Sequence, residues 1–353
     1  MSTKHNRPAL TITELAVVGI MLVVLTAVVL PGVAAVSRRD AGATCLSNLG
    51  QLGQASLMYA SDDPRSLIVP MHRMDVSSEH SLGFPASSPV LTAALASVFG
   101  GRTPITPTPV FGGDVTVLME AELWGTPTRP LNPYVAGNRS RGGDWLEVFH
   151  CPADIGYPEG IASWHPDFQP APPEAAGIPC FDFLGNSYRA NTCGVFWRVG
   201  SIVRGSFSVG PKGHTPAQIL NPARVVLYSD PLFYATTRLA AFGIEFEPFP
   251  GWHGEMMADN VVYCDGSARL TALDELYEFD EEELADMDYC QDFDPPSFLR
   301  RGPTWQMDCY PAPGALTKTY SFVKHRSIFP MDLISNMTGW PFTGFTQNES
   351  PFQ

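Results

Sequence analysis

Apolar positions are unevenly spread along this chain of 353 residues. From Leu15 to Val36 they form an unbroken run of 22 residues without a charge. As a helix rising about 1.5 Å per residue, that run just covers a bilayer core of roughly 30 Å. Beyond it the pattern becomes periodic. Leu46, Leu49, Leu52, Gly53 and Leu57 approximate one helical face, and no proline interrupts Arg38 to Met58, so the helix is expected to continue and to end at Ser61-Asp-Asp-Pro64. Such a stripe reads as the surface that docks on a sheet.

Further along, the period shortens. Val195 to Val203 and Arg224 to Tyr228 read as strands, and Asn260 to Cys264 with Ala268 to Leu273 reads as a hairpin. Between its arms Asp265-Gly266 predicts a type I′ turn, the glycine supplying positive φ. Ser88 to Phe99 reads as a helix, and Val115 to Trp124 as a short helix or strand. Gly100 to Gly113 and the proline-laden Tyr157 to Pro179 read as loops, the second exposed. The pattern predicts an α+β protein: a long N-terminal α-helix, with a transmembrane half and an amphipathic half, packed on an antiparallel β-sheet head with long loops.

Composition agrees with a loop-rich, mainly β body. Glycine and proline number 31 and 33, together about 18% against roughly 12% in average proteins. About 310 residues remain after the membrane segment, enough for one large or two small domains. The formal charge of −14 argues against binding a phosphate backbone, and no nucleic-acid partner is expected. Seven cysteines include no CxxC pair, so a zinc ribbon is not expected.

Three readings compete for the N-terminal run. A cleaved secretory signal needs a shorter core and a small-x-small site, which Ala34-Ala35-Val36-Ser37 supplies poorly. A plain anchor fits the length but leaves Glu14, a carboxylate at the mouth of an apolar helix, unexplained. The third reading accounts for it. The stretch Pro8-Ala9-Leu10-Thr11-Ile12-Thr13-Glu14-Leu15 resembles the signal of type IV pilins and type II secretion pseudopilins. The resemblance implies cleavage between Ala9 and Leu10 by a prepilin peptidase and N-methylation of Leu10, which makes Glu14 the fifth mature residue and Pro31 the twenty-second. Ala9 stands where that family usually has glycine. The resemblance further implies that the new amino group of Leu10 pairs with Glu14 of a neighbouring subunit. An unpaired buried charge is costly, so this pairing selects the correct stagger. Pro31 removes one backbone donor and lets the helix bend.

The body carries further resemblances. Cys45-Leu-Ser-Asn48-Leu49-Gly-Gln51 is similar to the C-x-x-N-L-x-Q string of a large planctomycete-type pseudopilin family. Cys151-Pro-Ala-Asp154 and Ser187-Tyr188-Arg-Ala-Asn191 are similar to its C-P-S-D and S-Y-x-x-N strings. That family's late His, nine residues, Asp-Gly pattern is approximated by His253 and Asp265-Gly266, with eleven residues between them. His253 reads as a hydrogen-bonding partner of the loop it precedes, with a catalytic or metal role as the sharper alternative. Cys45 and Cys151 read as a disulfide tying helix to sheet or as two buried thiols.

Asp274 to Asp294 holds 11 acids among 21 residues and no base. Such a block is first a solvated face or disordered loop. The sharper alternative, implied by similarity to major pseudopilins, is Ca²⁺ held by Asp286, Asp288, Asp292 and Asp294, although the stretch lacks an EF-hand's glycine and distal glutamate. No GxSxG, P-loop, HExxH or dinucleotide turn is present, and no enzymatic activity is expected.

Five stretches follow: residues 1–9 as leader, 10–36 as transmembrane and assembly helix, 37–60 as its amphipathic continuation, 61–273 as an extracytoplasmic head, and 274–353 as the acidic segment and C-terminal extension. The resemblance implies a structural filament subunit whose partners are other pilin or pseudopilin subunits, the prepilin peptidase and the inner membrane; the size of the head favours a minor or tip position over a major subunit whose loops decorate the filament surface. It places the chain in the inner membrane as a single-pass protein, with its body in the periplasm or on an extracellular filament. The alternative is an anchored binding or adhesion protein, or a hydrolase, that does not polymerise.

Overall fold

A computed structural model describes residues 12–73, 96–110, 113–136, 143–156, 177–191, 194–199, 202–208, 210–219, 221–230, 233, 248–273 and 302–307. Helix α1 runs Ile12–Asp62. Strands β1 (Thr108–Val110) and β2 (Gly113–Val115) form a small antiparallel pair. Strand β3 (Arg189–Ala190), β6 (Val226–Ser229), β7 (Ala258–Tyr263) and β8 (Ala268–Ala272) make a four-stranded antiparallel sheet in the order β3-β6-β7-β8. Strands β4 (Gly194–Val199) and β5 (Ile202–Ser208) form a separate antiparallel pair. The fold is α+β.

The C-terminal turns of α1 lie against β6, β7 and β8. Cys45, Leu49, Leu52, Ser56 and Tyr59 are its buried face, a 4-3-4-3 spacing that keeps one side on the sheet. Leu46 and Leu57 sit at the margin instead. The docking face is therefore rotated from the leucine stripe by about one residue, and a polar Ser56 occupies its centre. Burial of that hydroxyl is offset by its hydrogen bond to the buried Tyr228 hydroxyl. Two amides complete the contact: Asn48 donates to the His150 carbonyl at 3.0 Å, and Asn260 donates to the Gly42 carbonyl at 3.2 Å.

The approach is closest at Gly53. A Cβ there would stand 2.7 Å from Val262 Cγ2 and 3.0 Å from the Gly266 Cα. Gly53→Val is expected to destabilise the head by about 1–3 kcal/mol through overpacking. Gly50→Ala, whose Cβ would meet Ala268 at an ordinary 4.0 Å, should be neutral or gain up to about 0.5–1 kcal/mol of helix propensity. Denaturant midpoints of the two variants moving in the same direction would contradict this packing.

The hairpin over Asn260 to Leu273 forms as expected, but its turn is not type I′. That type needs positive φ at both central residues, and here Gly266 alone, at φ 83°, has it. The Gly266 N–H donates to the Tyr263 carbonyl at 2.8 Å and the Tyr263 N–H to the Ser267 carbonyl at 2.8 Å. The connection is a type I turn over Cys264-Asp265 closed by a glycine bulge. Asp265 Oδ1 accepts from the Ser267 N–H at 2.9 Å, which favours the αR conformation preceding the bulge.

Three other expectations change. The single strand expected over Val195 to Val203 is split between β4 and β5. The stretch expected as a loop from Gly100 to Gly113 contributes β1 and the start of β2. Val115 to Trp124 becomes the end of β2, a 3₁₀ turn at Val117–Met119 and a helical turn at Ala121–Trp124. Residues 302–307 return to the sheet: Val226 donates to the Gln306 carbonyl at 3.0 Å and Trp305 Nε1 to the Ala272 carbonyl at 3.0 Å. Part of the C-terminal stretch thus packs with the head. Leu15, Val17, Val18 and Ile20 to Leu25 are exposed on α1. Counting only residues whose side chains are described, no helix is long and apolar enough to cross a membrane.

Candidate functional site

The two body strings meet at one carboxylate. Asp154 follows the turn after Cys151, and its Oδ1 accepts from the N–H groups of Gly156 and Cys180, each at 2.9 Å. Its Oδ2 accepts from the Phe181 N–H at 2.9 Å and from the Ser187 hydroxyl at 2.7 Å. The Ser187 oxygen in turn accepts from the Cys151 N–H at 3.0 Å. Asp154 therefore caps the short helix Cys180–Phe183 and locks it to the loop bearing Cys151. Burial pushes its carboxyl above the usual carboxylate range, opposed by these donors. Asn191, at the end of the second string, donates to the carbonyls of Val226 at 2.8 Å and Met307 at 2.7 Å. Both strings are thereby explained as joints of the fold.

Cys151, held by that joint, faces a buried cluster at the end of the sheet where β6 stops and β7 begins. Cys45 comes from α1, Cys151 from the loop after the 3₁₀ helix Gly143–Phe149, Asp230 from the residue after β6, His253 from the loop before β7, and Asp259 from β7 itself. All five are buried. The donor atoms of Cys45, Cys151 and His253 lie within 4.8 Å of one another, as do those of Asp230, His253 and Asp259. His253 is the shared member: its Nε2 is 3.6 Å from Cys151 Sγ and 3.6 Å from Asp230 Oδ2. Its Nδ1 has no hydrogen-bond partner, and the same holds for both Asp230 oxygens and for Asp259 Oδ2.

Electrostatics follow from this crowding. Burial pushes the Cys45 thiol up, but hydrogen bonds from Cys151 and His253 and the nearby imidazole charge outweigh it and bring it down to about 5. Cys151 is pushed up by its hydrogen bond to Cys45 and by burial. Burial pushes Asp230 and Asp259 well above the carboxylate range, reinforced at Asp230 by the charge of Cys45 and at Asp259 by that of Asp230. Burial lowers His253, but the Cys45 thiolate beside it outweighs this and raises it. Sulfur and carboxylate donors gathered on either side of one imidazole can share protons or hold a metal ion. Cys45, Cys151 and Asp230 are each at 0% exposure.

Of the residues singled out in the sequence, Cys45, Cys151 and His253 are brought together, with both cysteines as free thiols. His253 does not hydrogen-bond the loop it precedes; it turns inward. Asp265 and Gly266 sit at the other end of β7, at the hairpin tip, apart from His253. The backbones of Glu14 and Pro31 lie within α1; their side chains, and Ala9, Leu10, Asp286, Asp288, Asp292 and Asp294, lie outside the described residues. Asp230 and Asp259 carry no signal of their own in the sequence. A carboxylate closing the apolar strand Val-Val-Leu-Tyr-Ser-Asp230 is the one available hint. Comparison with family models, with curated proteins and with solved structures finds no match.

Proposed function

We propose that this chain is a prepilin-like structural subunit of a type IV pilus-like or type II secretion pseudopilus filament, cut before Leu10 and assembled through its N-terminal helix. The observation that carries the reading is the contrast along α1. Leu15 to Leu25 leave large apolar side chains exposed, whereas further along the helix the face of Cys45, Leu49, Leu52, Ser56 and Tyr59 is buried against a sheet. Exposed apolar surface of that extent calls for a bilayer or for neighbouring helices. The Glu14 and Pro31 register supports neighbours as well as lipid. The role is structural, because the only buried constellation of reactive side chains among the described residues is sealed from solvent. A head of this size obstructs close helical stacking, which supports a minor or tip position.

Mass spectrometry of the mature N-terminus should find N-methyl-Leu10. Glu14→Ala should abolish incorporation into filaments and leave membrane insertion intact, since the carboxylate sets stagger and contributes nothing to insertion. An intact Met1, or a cut after Ala35, would sink the reading in favour of an anchored protein that does not polymerise.

A further inference from the structure

We propose that Cys45 Sγ, Cys151 Sγ, His253 Nε2 and Asp230 Oδ2 form a tetrahedral site for a borderline-soft divalent cation, Zn²⁺, that clamps α1 to the head. Three observations converge on it.

The first is the donor set. The Cys45 and Cys151 sulfurs lie within 4.8 Å of each other and of an imidazole nitrogen of His253, and the Asp230 and Asp259 carboxylates form a second such triad with the same histidine. Sulfur disfavours Ca²⁺ and Mg²⁺, and the mixture of S, N and O suits Zn²⁺.

The second is distance. With Zn–S near 2.3 Å and Zn–N and Zn–O near 2.0–2.1 Å, the edges of a tetrahedron are about 3.5 Å for S···N and about 3.4 Å for N···O. From His253 Nε2 the observed separations are 3.6 Å to Cys151 Sγ and 3.6 Å to Asp230 Oδ2. The second is too long for an N–H···O hydrogen bond, yet both match two edges meeting at one metal ligand.

The third is the unmet demand. Asp230 is 0% exposed and neither of its oxygens accepts from a backbone or side-chain N–H; the carboxyl of Asp259 is the neighbour with which it shares a proton. A buried carboxylate without donors is among the costliest groups a fold can carry. A cation at the centre of the cluster supplies what no protein donor does. Asp259, 1% exposed and with one oxygen also unpartnered, stands beside it as a fifth donor and the second oxygen.

The test uses the full-length chain, purified reduced in detergent. Elemental analysis should find one Zn²⁺ per chain. Replacement by Co²⁺ should give thiolate charge-transfer absorption and the intense visible bands of a tetrahedral ion. Cys151→Ser and His253→Gln should weaken Co²⁺ binding beyond the roughly 10–100-fold that loss of an outer-shell partner costs. Cys264→Ser, a buried thiol elsewhere, should leave the spectrum unchanged. Stripping the metal should lower the melting temperature, and added Zn²⁺ should restore it. Absence of Zn²⁺ together with failure of the reduced chain to take up Co²⁺ overturns the site, as does a Cys45–Cys151 disulfide that, once reduced, binds neither ion. If Cys151→Ser does not fold, the spectrum of the unsubstituted chain decides alone. Each readout is independent of N-terminal processing, so failure of the filament reading leaves it standing.

Discussion

Arg129→Met is expected to destabilise the head by about 3 kcal/mol, which denaturant unfolding will measure. Arg129 is 1% exposed and meets no carboxylate. Its Nε donates to the Trp124 carbonyl at 3.1 Å, and its two terminal nitrogens to the Gly100 and Leu184 carbonyls at 2.7 Å each. Burial brings the guanidinium down to about 9, so the charge is itself costly where it stands. The sign of the substitution depends on which cost is greater. Removing the charge recovers a few kcal/mol of desolvation, but the buried Trp124 and Leu184 carbonyls lose their donor at about 1–3 kcal/mol each and the Gly100 carbonyl keeps only the Asn186 amide at 3.2 Å, and the second cost is larger. Arg129→Lys keeps the charge but reaches fewer carbonyls and should fall between. A loss below about 0.5 kcal/mol for Arg129→Met would mean that the carbonyls find other donors.

Asp154→Asn is expected to cost about 2–4 kcal/mol, although the substitution is nearly isosteric. Both carboxylate oxygens are acceptors, each of two hydrogen bonds. An amide turns one of them into a donor and sets it against the Phe181 N–H or the Cys180 N–H, leaving a buried group unpaired. The pH dependence gives a second signature. The folded-state carboxyl is raised above its unfolded value, so between those two values the folded chain binds more protons than the unfolded chain. Its contribution to stability is fully present below that window and is lost as pH rises through it. The amide of the variant cannot titrate, so Asp154→Asn should lack this component of the pH profile. Thermal melts of the two proteins across the acidic range that stay parallel would contradict the assignment.

What can be read in advance is what is local. The periodic helix to Asp62, the strand ending at Ser229 and the hairpin after Ala258 are set by neighbours a few residues apart. The two small hairpins escape for equally local reasons. Val199-Gly200-Ser201-Ile202 contains a two-residue turn signal inside a β-rich run, and the flanking residues mask it by reading as one strand. The cluster is different. Its members are drawn from positions 45, 151, 230, 253 and 259, and no periodicity links them. The strings around Cys45, Cys151 and His253 mark three of its residues one by one, without saying that they meet. The adjacent pair His150-Cys151 points elsewhere: His150 stacks on Phe181 with ring centroids 4.5 Å apart, and the imidazole facing Cys151 comes from 102 residues later. Arg129, in Thr-Arg-Pro, carries no pattern, because its role depends on three carbonyls that only the fold assembles.

The polar contacts of α1 with the head, at Gly42, Asn48 and Ser56, are spaced over about 21 Å of helix. A load applied along the helix axis therefore strains all of them together, in shear, along with the whole apolar face between them. A load that lifts the helix at Asp62 meets them one after another. The head is built to hold against traction along α1 and to yield to peeling, so the direction of pull, more than its size, decides whether the contact survives it.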